Sequence, residues 1–89
     1  MSQHKVTVRI LDKEYQFAAT DEERPSLIAA ADYLDNTMRT IKNSNSGLSI
    51  DKIAIMAALN ISHDTLQLKQ AQDRISSLNN ELKKNIESL

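Results

Sequence analysis

Ile53-Ala54-Ile55-Met56-Ala57-Ala58-Leu59-Asn60-Ile61 is apolar nearly all the way round a helix. No Gly or Pro follows Gly47, so the helix carrying this stretch is expected to run from about 50 to 89. Ser49 is placed to cap it, and Asp51 suits the positive end of its dipole. At ~1.5 Å per residue such a helix is roughly 60 Å long. A helix segment that is apolar on every side has to be enclosed on most of them. Each large aliphatic side chain left in water forgoes ~1.5–3 kcal/mol. The rest of an 89-residue chain can cover one side only. A second copy related by a two-fold axis is the simplest cover for the others. The dimer interface expected on this ground comprises Ile53, Met56, Ala57, Leu59, Asn60 and Ile61.

Downstream the pattern changes. Leu68, Ile75, Leu82 and Leu89 recur every seven residues, with Ala71, Leu78 and Asn85 at the offset positions. This is a heptad seam with a at Leu68 and d at Ala71. Arg74 and Glu81 fall at flanking g positions, and Ile86 adds an apolar e position. The expected coiled coil uses Leu68, Ala71, Ile75, Leu78, Leu82 and Leu89. It is short, about three heptads, and Ala71 and Asn85 weaken it.

Upstream lies a smaller head. Residues 5–11 alternate, with Val6, Val8 and Ile10 on one face and Thr7 and Arg9 on the other, as in a half-buried strand. A second strand is expected at about 14–18, with Tyr15 and Phe17 sharing a face and Asp12-Lys13 as the turn between. A lone hairpin is barely stable in water, so it must rest on a helix or pair with another chain. Thr20 and Glu23 have capping-box spacing, and Asp21 and Glu22 favour a helix start. The first helix is expected from about 22 to 43, with Leu27, Ala30, Ala31, Leu34, Met38 and Ile41 as its apolar stripe and Asp32, Asp35, Asn36 and Arg39 mostly off it. Asn43-Ser44-Asn45-Ser46-Gly47 is the clear loop. The expected fold is therefore α+β. A ββα head (1–48) precedes a long C-terminal helix (49–89), of which 49–66 forms a dimer core and 67–89 an intermolecular coiled coil.

Composition narrows the function. There is no cysteine, which fits a reducing compartment, and the two histidines, His4 and His63, are too few for a metal centre. His63 is adjacent to Asp64, so the two are expected to point in different directions on a helix. Eleven Lys and Arg against twelve Asp and Glu leave no electrostatic footprint for nucleic acid. Tyr15, Phe17 and Tyr33 are the only aromatics, too few for a base-stacking platform. No apolar run approaches the ~20 residues that span a bilayer. A single Gly makes a backbone phosphate cradle hard to build, and no nucleophile motif or ligand cluster is present. The residues thus read as a non-enzymatic, self-associating module with no catalytic or metal residues and no cofactor. A dimerising adaptor or a small chaperone-like coil for another client fits these features too.

Three segments carry a more specific resemblance. Val6-Thr7-Val8-Arg9-Ile10-Leu11, then Asp21 to Leu34 (Asp-Glu-Glu-Arg-Pro-Ser-Leu-Ile-Ala-Ala-Ala-Asp-Tyr-Leu), then Ala57-Ala58-Leu59-Asn60-Ile61-Ser62 are similar, in order and spacing, to the ZapA family of bacterial cell-division proteins. The resemblance covers about residues 5–66. It implies a head that dimerises, a coil that joins dimers into a homotetramer, and a cytoplasmic protein at the midcell division ring. It implies FtsZ as partner, with protofilaments cross-linked and bundled, the Z ring stabilised during septation, and FtsZ GTPase activity lowered. Lys42 and Asp51 match charged positions of the family, and with Lys13 and Lys52 they are the expected partner-binding residues. The chain departs from the family pattern at Asp12, where relatives commonly carry Gly, and at Ser46, where a basic residue is common. Many relatives also continue the coil past the position of Leu89.

Overall fold

The alternation of Val6, Val8 and Ile10 is realised in β1 (His4–Ile10), which pairs antiparallel with β2 (Lys13–Ala19). Two helices follow, α1 (Arg24–Ser44) and α2 (Ile50–Glu87). The computed structural model describes residues 2–87. The hairpin followed by a shorter and a longer helix is the α+β order expected from the sequence.

The turn differs by one residue from the expectation. Ile10 lies opposite Lys13, so the two-residue loop is Leu11-Asp12 rather than Asp12-Lys13. Both residues have positive φ, 48° and 65°, as a type I′ hairpin turn requires. Asp tolerates that conformation, whereas for Leu it costs roughly 1–2 kcal/mol. Tertiary contacts hold it. The Leu11 side chain is buried against Met38, Ile53 and Ala57. Its N–H donates to Asp35 Oδ1 at 2.8 Å. Arg39 then joins the turn to α1, donating from Nη2 to Asp12 Oδ1 at 2.9 Å and from Nε to Asp35 Oδ2 at 3.1 Å.

Thr20 and Glu23 form the expected capping box. The Thr20 N–H donates to Glu23 Oε1 at 3.1 Å and the Glu23 N–H donates to Thr20 Oγ1 at 3.2 Å. A tight turn over 21–23 intervenes before α1 begins. Pro25 falls in the first turn of α1, where its missing N–H removes no intrahelical bond. At α2 the Lys52 N–H donates to Ser49 Oγ at 3.3 Å, so Ser49 is the cap expected of it.

Two apolar clusters build the described residues up to 57 into one compact unit. Val6, Val8, Ala19 and Ala31 form the first, with Leu27 at its margin. Leu11, Met38, Ile53 and Ala57 form the second, flanked by Leu34, Ile41 and Leu48. Ile10 packs against both. The first turns of α2 thus belong to the core of the head, and the described residues from 58 onward form a second unit.

Candidate self-association surface and charged rim

The stretch 53–61 is divided by its own helical phase. Ile53 and Ala57, one turn apart, are 3% and 0% exposed. They pack on Leu11 and Met38 and so are core residues of one chain, not a surface that a second copy could cover. Ile61 is half-buried. Met56 and Leu59 are exposed, Leu59 to 65%, as are Ile55 at 62% and the polar Asn60. Ile55, Leu59 and Leu66 repeat at four and seven residues and so share one face of α2. Ile55 and Leu66 are absent from the interface expected from the sequence. In a segment apolar all round, sequence alone does not distinguish the face that meets the head from the face left in solvent.

In the distal unit Leu68, Ala71, Ile75, Leu78 and Leu82 are all exposed. They lie along one stripe of α2, as the seven-residue repeat requires. Leu89, the last member of that seam, lies outside the described residues. Ile86, at the e position, is exposed as well. Asp64, expected to point away from His63, comes within 3.8 Å of its Nδ1, with both side chains in solvent.

The four charged candidates are all exposed. Lys13 opens β2 directly after the turn, and Lys42 lies in the last turn of α1. Asp51 and Lys52 lie in the first turn of α2. The pKa of Asp12 is lowered from its ordinary value, chiefly through its hydrogen bond and ion pair with Arg39, with smaller contributions from Arg9 and then Lys42. Asp35 is lowered too, first by the Leu11 N–H and then by Arg39, and the Arg39 guanidinium is raised in return. The Asp12–Arg39–Asp35 triad was not foreseen, because Asp35 reads from its spacing as a solvated residue off the apolar stripe. No group of three or more His, Cys, Asp or Glu that could hold a metal occurs among the described residues. Nor is any helix among them long and apolar enough to cross a membrane.

A β-hairpin followed by a shorter and a longer helix, the longer one with exposed apolar side chains, defines the structural class. Comparison with known proteins makes the class specific. Residues 6–89 match the family described as Cell division protein ZapA. The cell division protein ZapA of Pseudomonas aeruginosa (strain PAO1) is 50% identical over 78 residues, covering 86% of this chain and 75% of that protein. That of Geobacillus sp. (strain WCH70) is 37% identical over 71 residues, covering 80% of each. Among solved structures, a conserved bacterial protein of unknown function from Pseudomonas aeruginosa PAO1 superposes with a TM-score of 0.72 at 45% identity, covering 92% of this chain and 90% of that one. A ZapA mutant dimer from Geobacillus stearothermophilus gives a TM-score of 0.69 at 22% identity, covering 86% and 88%, and shares the fold. The chain belongs to the ZapA family of cell-division proteins, and its role is in cell division.

Proposed function

We propose that the chain is a non-enzymatic cross-linker of FtsZ protofilaments that acts at the midcell division ring, bundling the filaments and lowering FtsZ GTPase activity. The observation that carries this reading, beside family membership, is the apolar surface that α2 leaves open. Met56 and Leu59, with Ile55, form the proposed core of a head-proximal homodimer. Leu68, Ile75, Leu78 and Leu82 form a second, distal seam through which dimers pair into tetramers. The relative from Geobacillus stearothermophilus is a dimer by its description, which supports the first of these associations.

Cross-linking needs identical binding faces held at a fixed separation. A two-fold dimer supplies one equal pair, and the distal seam joins two such pairs. Avidity then turns weak single contacts into a tight bundle once both ends engage. The proposed partner face is the charged rim of Lys13, Lys42, Asp51 and Lys52, because the apolar seams are taken up by self-association. Co-sedimentation with purified FtsZ and GTP tests the reading. The full chain is expected to pellet with polymers and bundle them. A chain ending before Leu68 is expected to bind polymers yet bundle them poorly. Undiminished bundling by the shortened chain refutes the role of the distal seam, and failure of the full chain to pellet favours an adaptor for a different client.

A further inference from the structure

Lys13 stands between two acids in the sequence, Asp12 and Glu14. Its ammonium nevertheless makes no ion pair among the described residues. Both acids are taken by arginines instead. Side chains alternate along a strand, so Glu14 projects from the other face of the sheet. There it lies 3.7 Å from Nη1 of Arg9, its cross-strand partner. Asp12 is the nearer competitor. It directly precedes Lys13, and the flexible four-carbon stem of a lysine lets the ammonium swing toward an adjacent carboxylate. Arg39 occupies that carboxylate, with Nη2 2.9 Å from Asp12 Oδ1.

The geometry favours Arg39 over Lys13 in this competition. Arg39 is anchored by a second acid, since its Nε donates to Asp35 Oδ2 at 3.1 Å. Asp35 is itself fixed, because its Oδ1 accepts the Leu11 N–H at 2.8 Å. Its side chain is only 21% exposed, against 71% for Asp12. A planar guanidinium already set in place loses less rotamer freedom per bond than an ammonium on a rotating stem. Asp12 therefore pairs across to α1 and not with its neighbour in the chain. Without Arg39, two carboxylates at the turn would be left with no guanidinium from α1, and Lys13 would be the adjacent cation.

We propose that Arg39 is a positioning residue for Lys13. By holding the Asp12 carboxylate, it keeps the Lys13 ammonium unpaired and open to a carboxylate on the partner polymer. The inference rests on the proposed function, in which Lys13 belongs to the partner face. Arg39 acts through Asp12 and does not itself touch the partner.

Four full-length chains test it: unmodified, Arg39→Ala, Asp12→Gly, and the two substitutions together. Gly suits the φ of 65° at position 12, so Asp12→Gly removes the competing acid while keeping the turn. The first readout needs no partner. An amine-reactive ester acylates only the neutral amine, and a carboxylate paired with a lysine favours its charged form. Arg39→Ala is expected to slow acylation of Lys13 about threefold, measured by peptide mass spectrometry against Lys69 on the distal part of α2, the scale of an exposed charge pair. The second readout is co-sedimentation with FtsZ polymers at low salt, which Arg39→Ala is expected to weaken about threefold. The double variant is expected to restore both to the unmodified values. Loosening of the turn would not slow acylation, so a slower Lys13 separates charge competition from lost structure. Arg39→Gln, which keeps much of the stem and drops the charge, replaces Arg39→Ala if that chain does not fold.

Acylation of Lys13 unchanged by Arg39→Ala overturns the proposal. So does a double variant that pellets as weakly as Arg39→Ala, because Arg39 would then be a partner contact in its own right. An unmodified chain that does not pellet, or a Lys13→Ala chain that pellets equally well, overturns the placing of Lys13 on the partner face. The acylation result distinguishes that failure from a failure of Arg39 to keep Lys13 unpaired.

Discussion

Replacing Leu11 sets two opposing effects against each other. Its backbone has a φ of 48°, which an L side chain resists, while its side chain is 8% exposed in the second core cluster. Truncating a buried leucine to alanine costs about 2–5 kcal/mol through lost transfer energy and the cavity left behind. Leu11 is at a surface turn whose neighbours can relax inward, so the lower end, about 2–3 kcal/mol, applies. Leu11→Ala keeps the strained backbone. Leu11→Gly relieves it, by roughly 1–2 kcal/mol, but Gly gives the unfolded chain more freedom, worth about 0.5–1 kcal/mol. The net leaves the glycine variant above the alanine variant by on the order of 0.5–1 kcal/mol. The expected order is therefore wild type, then Leu11→Gly, then Leu11→Ala, an inversion of the usual ranking of Ala and Gly. Urea midpoints followed by far-ultraviolet circular dichroism at one fixed protomer concentration measure it, since association makes the midpoint concentration-dependent. An alanine variant equal to or more stable than the glycine variant would refute the assignment of strain to this turn.

Three further outcomes follow from features elsewhere. Asp12, Asp35 and Glu23 all have folded-state pKa values below their ordinary ones. The stability they contribute is therefore present above about pH 4 and is lost as pH falls through the lower folded values. Asp35→Asn is expected to flatten the fall of the urea midpoint below that pH, and an unaltered acid profile would remove Asp35 from the account. Leu59→Glu places a charge on the exposed face of α2 and is expected to weaken dimers while leaving the helical signal of the chain intact. Sedimentation over a range of concentrations checks this, and an unchanged dimer constant excludes that face. Lys42→Glu is expected to reduce pelleting with FtsZ polymers more at low salt than at high salt, because exposed charge contacts are screened. Equal pelleting at low salt would take Lys42 off the rim.

Much of the fold could be read from residue order because local and long-range preferences agree there. Val6 and Val8 alternate and are buried, Thr20 and Glu23 cap each other, and Ser49 caps α2. The turn could not be read, because local preference and tertiary structure disagree at Leu11. A leucine at positive φ is unfavourable in isolation, and only Asp35 on α1 and the core around Met38 make it the stable choice. The same reason hid Asp35, whose partner is 24 residues away. The exposed apolar surface of α2 was legible in kind but not in detail. Apolar excess on α2 is a property of composition, whereas the facing of Ile53 and Ala57 toward the head, and of Ile55 and Leu59 away from it, depends on where Leu11 and Met38 lie. The proposed charged rim rests on family likeness, and composition alone offered no reason to prefer Lys42 over other exposed lysines.

The tip of a hairpin is ordinarily its loosest part, and here it is tied on several sides. Leu11 reaches into a core shared by α1 and α2, and Asp12 is held by Arg39. Lys13 follows immediately, so this candidate contact projects from backbone that is already fixed. A partner touching the tip has little main-chain freedom to remove, and the entropy cost of ordering loops, which commonly erodes affinity in small interfaces, is reduced to the rotamers of the lysine side chain itself. Even a contact of few residues can then contribute usefully to affinity.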